Sequence, residues 1–298
     1  AFSSSVGWGE GAGLTVVNSS IGMVSNCAFV ANTAVGPDDN SMGGGVLVNI
    51  SGGGPVTINA CSFRLNTAHS AGGACVSGAG AVFTDCDFIC NTTAWYAAGA
   101  GIVNSFDARS TIKTVLVNCR FAGNTATSWH GGGLAVLYQA AILINCSFSS
   151  NSAQLGGAVS AWFGGGPGVI LATNCILWGD SGWGGDNEIC LGPSGSMTGN
   201  YCNVQGGYSG TSNLNVNPLY ADPPFDLHLQ SIYGRYTSTG WVTDAQSSPC
   251  IDAGDPSMDY ALESKYYSGN RINIGAYGNT AQASRSKSTA PGSALIIR

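Results

Sequence analysis

Short stretches in which apolar and polar residues alternate recur along most of the chain. In Asn118-Cys119-Arg120-Phe121, Cys and Phe alternate with polar neighbours, the two-residue period of a strand with one buried face. The same form returns as SNCAF, NACSF, TDCDF, VNCRF, INCSF and TNCIL, with cysteines at 27, 61, 86, 119, 146 and 175 and spacings of 34, 25, 33, 27 and 29 residues. Self-similarity at such a variable period is the mark of a solenoid whose coils differ in loop length. A turn follows each of the first five strands, as ANTA at 31–34, LNTA at 65–68, CNTT at 90–93, GNTA at 123–126 and SNSA at 150–153. Glycines at 43–45, 72–73, 99 and 101, 131–133 and 156–157 then open the next strand. Helical heptads are absent, and no apolar run approaches the roughly 20 residues that span a bilayer.

The pattern predicts an all-β, right-handed parallel β-helix of about six to seven coils. Coils about 4.8 Å apart bring like residues into columns. Phe29, Phe63, Phe88, Phe121 and Phe148 are expected in the core, and Asn32, Asn66, Asn91, Asn124 and Asn151 at a corner, bonded amide to amide. Asn suits that corner because it tolerates left-handed backbone and can satisfy buried turn groups. The six repeat cysteines read as small buried hydrophobes. Of the remaining five, Cys190 and Cys202 bracket a Gly/Ser-rich loop and are the candidate disulfide.

Composition narrows the partners. The 298 residues include 45 Gly but only 10 Pro, and 44% are hydrophobic, enough for a large core. Charged residues make up 9%, against roughly 25% in ordinary soluble domains, so Asn, Ser, Thr and Gly must keep the surface wet. The net charge is −6 and neither half is basic, with six acids to four bases over 1–179 and ten to six over 180–298. Nucleic acid is disfavoured as a partner, since phosphate must be met by clustered Lys or Arg. The chain opens at Ala1 already in repeat-like sequence, which implies that a leader or upstream segment has been removed.

The GG(A/V/L) opening and F-x-x-N closing of each repeat, over residues 11–180, resemble polymorphic outer-membrane proteins and related bacterial right-handed β-helix surface proteins. NCILWGDSGWGGDNEIC at 174–190, YCNVQGG at 201–207, NPLYADPPFDLHLQS at 217–231, SSPCIDAGDP at 247–256 and GNRINIGAYGNTAQAS at 269–284 resemble the C-terminal cap of secreted bacterial β-helix proteins, including the choice-of-anchor type. The resemblance implies export and display or anchoring, mostly without an assigned reaction. The chain is read as β-helix repeats at 1–210, a turn-rich cap of the same solenoid at 211–284 and a tail at 285–298. That tail ends in the β-prone SALIIR, a candidate strand for pairing with a neighbouring molecule.

Chemistry is sparse. There is no G-x-S-x-G elbow, P-loop or HExxH motif in a supporting context, and no cofactor or metal is expected. A polysaccharide lyase would need carboxylates converging on calcium beside an Arg or Lys. Asp38, Asp39, Asp85, Asp87 and Asp107, with Arg64, Arg109, Lys113 and Arg120, are the available set. Asp85 and Asp87 flank inward Cys86 and should both face outward near Arg120, making either a groove or a solvated face with ion pairs. His228 reads as an ordinary residue of a packed strand. His69, Trp95, Tyr96, Trp129 and His130 should stack along one edge, as loop packing, an assembly contact or a glycan-binding strip. Phe106, Tyr138 and Trp162 are expected to form an inward stack. Of the N-x-S/T sequons, Asn91 belongs to the ladder, while Asn18, Asn49 and Asn145 are candidate glycosylation sites, Asn145 facing water.

The reading that follows is a secreted or cell-surface, non-enzymatic structural protein, a scaffold, adhesin or filament subunit that self-associates into a fibre or array. The alternative is a carbohydrate-active β-helix, a lyase, hydrolase or binding module whose partner is extracellular polysaccharide.

Overall fold

The computed structural model describes residues 2–287 apart from 4, 9–10, 18–21, 37–40, 51–54, 79, 104–112, 163–166, 186 and 265. One coil is shown by residues 74–93. Strand Ala74–Gly78 belongs to sheet 1, Ala81–Thr84 to sheet 2, Asp87–Ile89 to sheet 3 and Thr92–Thr93 to sheet 4. Each strand pairs in parallel with its counterparts in the coils before and after, so sheet 3 is eight strands deep and the other three are seven. This is the expected all-β parallel β-helix, and the described residues contain no helix.

The core forms because the period-2 pattern turns one set of residues inward on every sheet. Phe29, Phe63, Phe88, Phe121 and Phe148 are fully buried. With Phe2 they stack at centroid spacings of 5.0, 5.0, 4.8, 4.6 and 4.6 Å, their planes within 7° of parallel. That spacing is the distance between adjacent strands. Each buried ring contributes about 1.5–3 kcal/mol from burial. Beside them the cysteine column gains a seventh member, Cys202, and every thiol in it donates to the carbonyl two residues earlier at 3.3–3.5 Å.

The asparagine ladder is continuous. Asn66 accepts at Oδ1 from both the backbone N–H and the side-chain amide of Asn32, at 3.0 and 2.9 Å, and donates from Nδ2 to Phe29 O and to Asn91 Oδ1. The same bonds repeat at Asn91 and Asn124. The left-handed backbone at this corner falls on the preceding residue and not on Asn itself. Ala31, Leu65, Cys90, Gly123 and Ser150 have φ of 53–64°. Asn is therefore selected for its amide.

Glycine is required before sheet 1 for close approach. A Cβ on Gly73 would lie 2.3 Å from Gly99 O, and one on Gly99 would lie 2.3 Å from Gly133 O.

Two faces of the solenoid carry a second layer. Over sheet 1, Leu47, Cys75, Ala135 and Leu137 point outward and are covered by Ala71, Tyr96 and Ala97, with Met42 and Tyr138 at the margin. Over sheet 3 lies the C-terminal segment, whose Tyr220, Leu227, Leu229, Cys250 and Ile274 pack on the outward Ile89, Ala122 and Ile176. Residues 208–214 lie on the last coil, where Leu214 bridges Asn203 and Tyr208 Oη donates to Met197 O at 2.8 Å. From there two antiparallel hairpins, Tyr220–Asp222 with Asp226–Leu229 and Arg235–Thr237 with Gly240–Val242, begin the flank layer.

The second layer corrects several expectations. Asn145 is buried, not turned to water, because the flank segment covers it and its Nδ2 donates to Gly278 O at 3.1 Å. Tyr138 packs on the outer face of sheet 1 and Trp162 lies 6.2 Å from His130, so neither belongs to an inward stack; Phe106 lies outside the described residues. All eleven cysteines are thiols. Cys202 points into the core at its corner, whereas Cys190 pairs with Ser160 in the outward row of sheet 1, so the two sulfurs face opposite ways. Asn91 is fully buried as expected, Asn49 is half-buried in its sheet 1 strand, and Asn18 lies outside the described residues. The described residues stop at Lys287, before the SALIIR tail, and among them no helix is long and apolar enough to cross a membrane.

Candidate functional site

The residue before each core cysteine forms an outward column at the corner between sheets 2 and 3. Asn26, Ala60, Asp85, Asn118, Asn145, Asn174 and Tyr201 all have φ of 49–55° there, a conformation Asn and Asp adopt more readily than other side chains. Three of these residues hold the flank segment. Asn118 and Asn145 donate to Gly278 O, and Asn174 accepts from the backbone N–H of Asp255 at 2.7 Å. Asp85, one coil before Asn118, is exposed.

Two residues further along, Asp87 and Arg120 are direct neighbours in sheet 3. Arg120 grips Asp87 with Nε and Nη2, the first bond 2.5 Å, and donates from Nη1 to Tyr277 Oη at 2.5 Å. A two-pronged guanidinium–carboxylate pair fixes geometry as well as charge. The contact continues through the flank layer. Tyr277 stacks on His228 at 3.5 Å, His228 Nδ1 meets Asp226 at 2.6 Å, and Asp226 meets Arg235, which also holds Asp244. Burial alone would raise the Asp226 carboxyl, but the His228 hydrogen bonds bring it below its ordinary value.

Between corner and flank lies a groove of about 510 Å³, lined by Asp85, Asp87, Asn118, Arg120, Tyr277 and Gln282 among others. Although Asp85 is exposed at the surface, partial desolvation by the groove walls, with Cys86 and Asp87 beside it, raises its carboxyl above the ordinary value. Burial also raises the Tyr277 phenol, against the opposing pull of Arg120. The groove can hydrogen-bond through carboxylates, amides and a guanidinium. Among the described residues no three His, Cys, Asp or Glu side chains converge to hold a metal ion.

Of the carboxylate and basic residues singled out by sequence, Asp85, Asp87 and Arg120 are brought together. Asp38, Asp39, Asp107 and Arg109 lie outside the described residues, and Lys113 is exposed away from this set. Tyr277, Gln282 and Asn118 were missed. Asn118 had a signal, the polar residue that precedes five of the six repeat cysteines, but Tyr277 and Gln282 sit in aperiodic sequence.

The aromatic residues also meet. Trp95 and Trp129 stack at 5.3 Å and 8°, His69 lies 4.9 Å from Trp95, and Tyr96 and His130 stack at 6.4 Å. Tyr96 and His130 are buried, while Trp95 and Trp129 are 41% and 39% exposed. Trp95 and Trp129 thus turn one ring face toward each other while remaining partly open to solvent.

The family model described as disaggregatase related matches residues 104–254, half of the chain, from the coil that carries Arg120 through the hairpins of the flank segment. No curated protein and no solved structure matches.

Proposed function

The chain belongs to the disaggregatase-related family, and from that premise we propose that it is a carbohydrate-recognising β-helix, secreted or displayed at a cell surface, that holds an extracellular polysaccharide in the flank groove. The family description points to the dispersal of aggregates, and a parallel β-helix offers a straight flank along which a polymer can lie. The observation that carries the reading is the groove itself. Asp85, Asn118 and Gln282 supply planar hydrogen-bonding groups beside Tyr277, the few placed polar groups that a small-ligand site needs.

Recognition without cleavage is the form proposed. Glycoside hydrolysis ordinarily works with two carboxyls, one on each side of the bond. In this groove Asp87 is committed to Arg120, which leaves Asp85 as the uncommitted carboxyl among the described lining residues. The negative chain and this locked guanidinium favour uncharged sugars over uronate-rich ones.

Affinity electrophoresis through gels containing neutral or acidic polysaccharides tests the proposal. The protein should be retarded by a neutral glycan, and the double variant Asp85→Asn, Gln282→Ala should bind it about tenfold more weakly, a loss of about 1.4 kcal/mol. Equal retardation of the two proteins, or none in any gel, would overturn the site, and released oligosaccharide would overturn the non-catalytic form. A scaffold role is a second reading, favoured by the unbroken phenylalanine and asparagine columns. Filaments of the purified protein in negative stain would support it.

A further inference from the structure

The asparagine ladder ends in an acid. Asn151 donates from its backbone N–H and from Nδ2 to Asp180 Oδ1, both at 2.7 Å, where the earlier coils place an amide oxygen. Glu188 turns back over the same corner, and its Oε1 accepts from the N–H groups of Gly179 and Asp180 at 3.1 and 3.2 Å. The other two oxygens, Asp180 Oδ2 and Glu188 Oε2, are shut off from water and have no partner in other residues. The two carboxyls meet at one corner, since Glu188 Oε1 accepts from the backbone N–H of Asp180 itself.

We propose that Asp180 and Glu188 share a single proton and so form a pH-sensitive latch on the last coil of the solenoid. Two ionised carboxylates at this distance, away from water, repel and lack hydration. One proton turns the repulsion into a hydrogen bond. Among the described residues the facing groups offer no positive charge to replace it. Asn151 comes from the ladder, Asn187 from the same loop and Gln205 from the next coil, whose amide oxygen accepts from Gly179 at 2.8 Å. From the flank layer come Tyr220 and, beyond it, Cys250, both neutral with their protons held by burial. Asp186 lies outside the described residues.

The latch closes a definite part of the chain. Glu188 O accepts from Val159 N–H at 2.9 Å, Asn187 O from Gly157 N–H at 2.6 Å, and Asn187 Oδ1 from Gly182 N–H at 3.2 Å. Glu188 is also part of the wall of a cavity of about 560 Å³ with Leu191, Gln205 and Tyr208, at the end of the core. Losing the shared proton would loosen residues 179–185 and 187–191 and admit water to Ile189 and Leu191, which pack against the core there.

The sign follows from burial, which raises both carboxyls, Asp180 well above its ordinary value and Glu188 from 4.5 to about 7. A raised carboxyl stabilises the fold fully below its unfolded value, and the contribution is lost as pH rises through the folded value. Glu263, buried in the flank segment and also raised to about 7, acts in the same direction. A variant comparison therefore isolates the pair.

Asp180→Asn is the informative variant, because an amide there can accept from Asn151 and donate to Glu188 with no proton to lose. Native-state hydrogen exchange at Gly157, Val159 and Gly182, corrected for intrinsic rates, should show protection in the parent protein falling about tenfold or more between about pH 5 and pH 8. In the variant the fall should be several-fold smaller, leaving only what Glu263 contributes. A level profile in the parent, or the same fall in the variant, would overturn the latch. Infrared difference spectra of the parent against the double variant Asp180→Asn, Glu188→Gln provide a reading that does not depend on coil opening. A carboxylic-acid carbonyl band should be present near neutral pH and lost in the variant, and no difference in that band would contradict the shared proton.

Discussion

Asn118 and Asn145, one coil apart at the same corner, donate their side-chain amides to one carbonyl oxygen, that of Gly278, at 3.0 and 3.1 Å. The acceptor is 160 residues from the first donor and 133 from the second. This three-residue junction fastens the flank segment to the solenoid and so sets one wall of the groove. Asn118→Gly keeps the left-handed backbone available and removes only the amide. It should cost about 1 kcal/mol and make the flank segment the first part to be cut in limited proteolysis, leaving the repeat region intact.

Asn91 sits in the middle of the ladder, accepting two bonds from Asn66 and donating to Phe63 O and Asn124 Oδ1. Asn91→Ala strands buried partners on both sides. A loss on the order of 3 kcal/mol or more is expected, since each unsatisfied buried group costs about 1–3 kcal/mol. Denaturant unfolding measures it, and Asn91→Asp should be similarly damaging because it keeps the acceptor but loses both donors.

These columns were legible in the sequence because each coil repeats the residue that forms them. Phe88 and Asn91 announce themselves by recurring at Phe121 and Asn124. What was not legible came from contacts between coils and the aperiodic C-terminal segment. Asn145 looked outward by strand alternation alone, which contains no hint that Gly278 would lie over it. Cys190 and Cys202 are near neighbours in sequence, yet the corner between them puts one in the outward row of sheet 1 and the other in the core. The left-handed residue of the ladder turn was hidden because its type changes from Ala31 to Leu65 to Cys90, whereas the amide beside it does not. In the groove Asp85, Asp87 and Arg120 could be named, but Tyr277, which receives the Arg120 bond, could not.

The thiols give a direct check on the columns. Burial holds those of Cys119 and Cys175 well above their ordinary value, and a protonated, buried thiol is a poor nucleophile. Cys27 and Cys90 are half-buried and the other nine are buried. A maleimide reagent should label those two first in the folded protein and all eleven after denaturation without a reductant. Fewer than eleven adducts would reveal a disulfide that the geometry does not allow.

His130 is buried against Tyr96 and accepts or donates at Nδ1 with Ser160 at 3.1 Å. Burial pushes its imidazole from 6.5 down to about 4. The unfolded chain therefore binds a proton there before the folded one does, so this contribution is full above about pH 6.5 and is lost as pH falls toward 4. His130→Gln should flatten the acid limb of a plot of melting temperature against pH and leave the alkaline limb as it was.

The groove as a polysaccharide site is tested most directly by hydrogen exchange of the intact protein with and without a neutral oligosaccharide that retards it in gels. Protection should appear at residues 84–87, 117–120 and 276–282, the two corner strands and the flank loop that face each other. Protection centred on Trp95 and Trp129, or at the ends of the rod with the groove unchanged, would contradict the account.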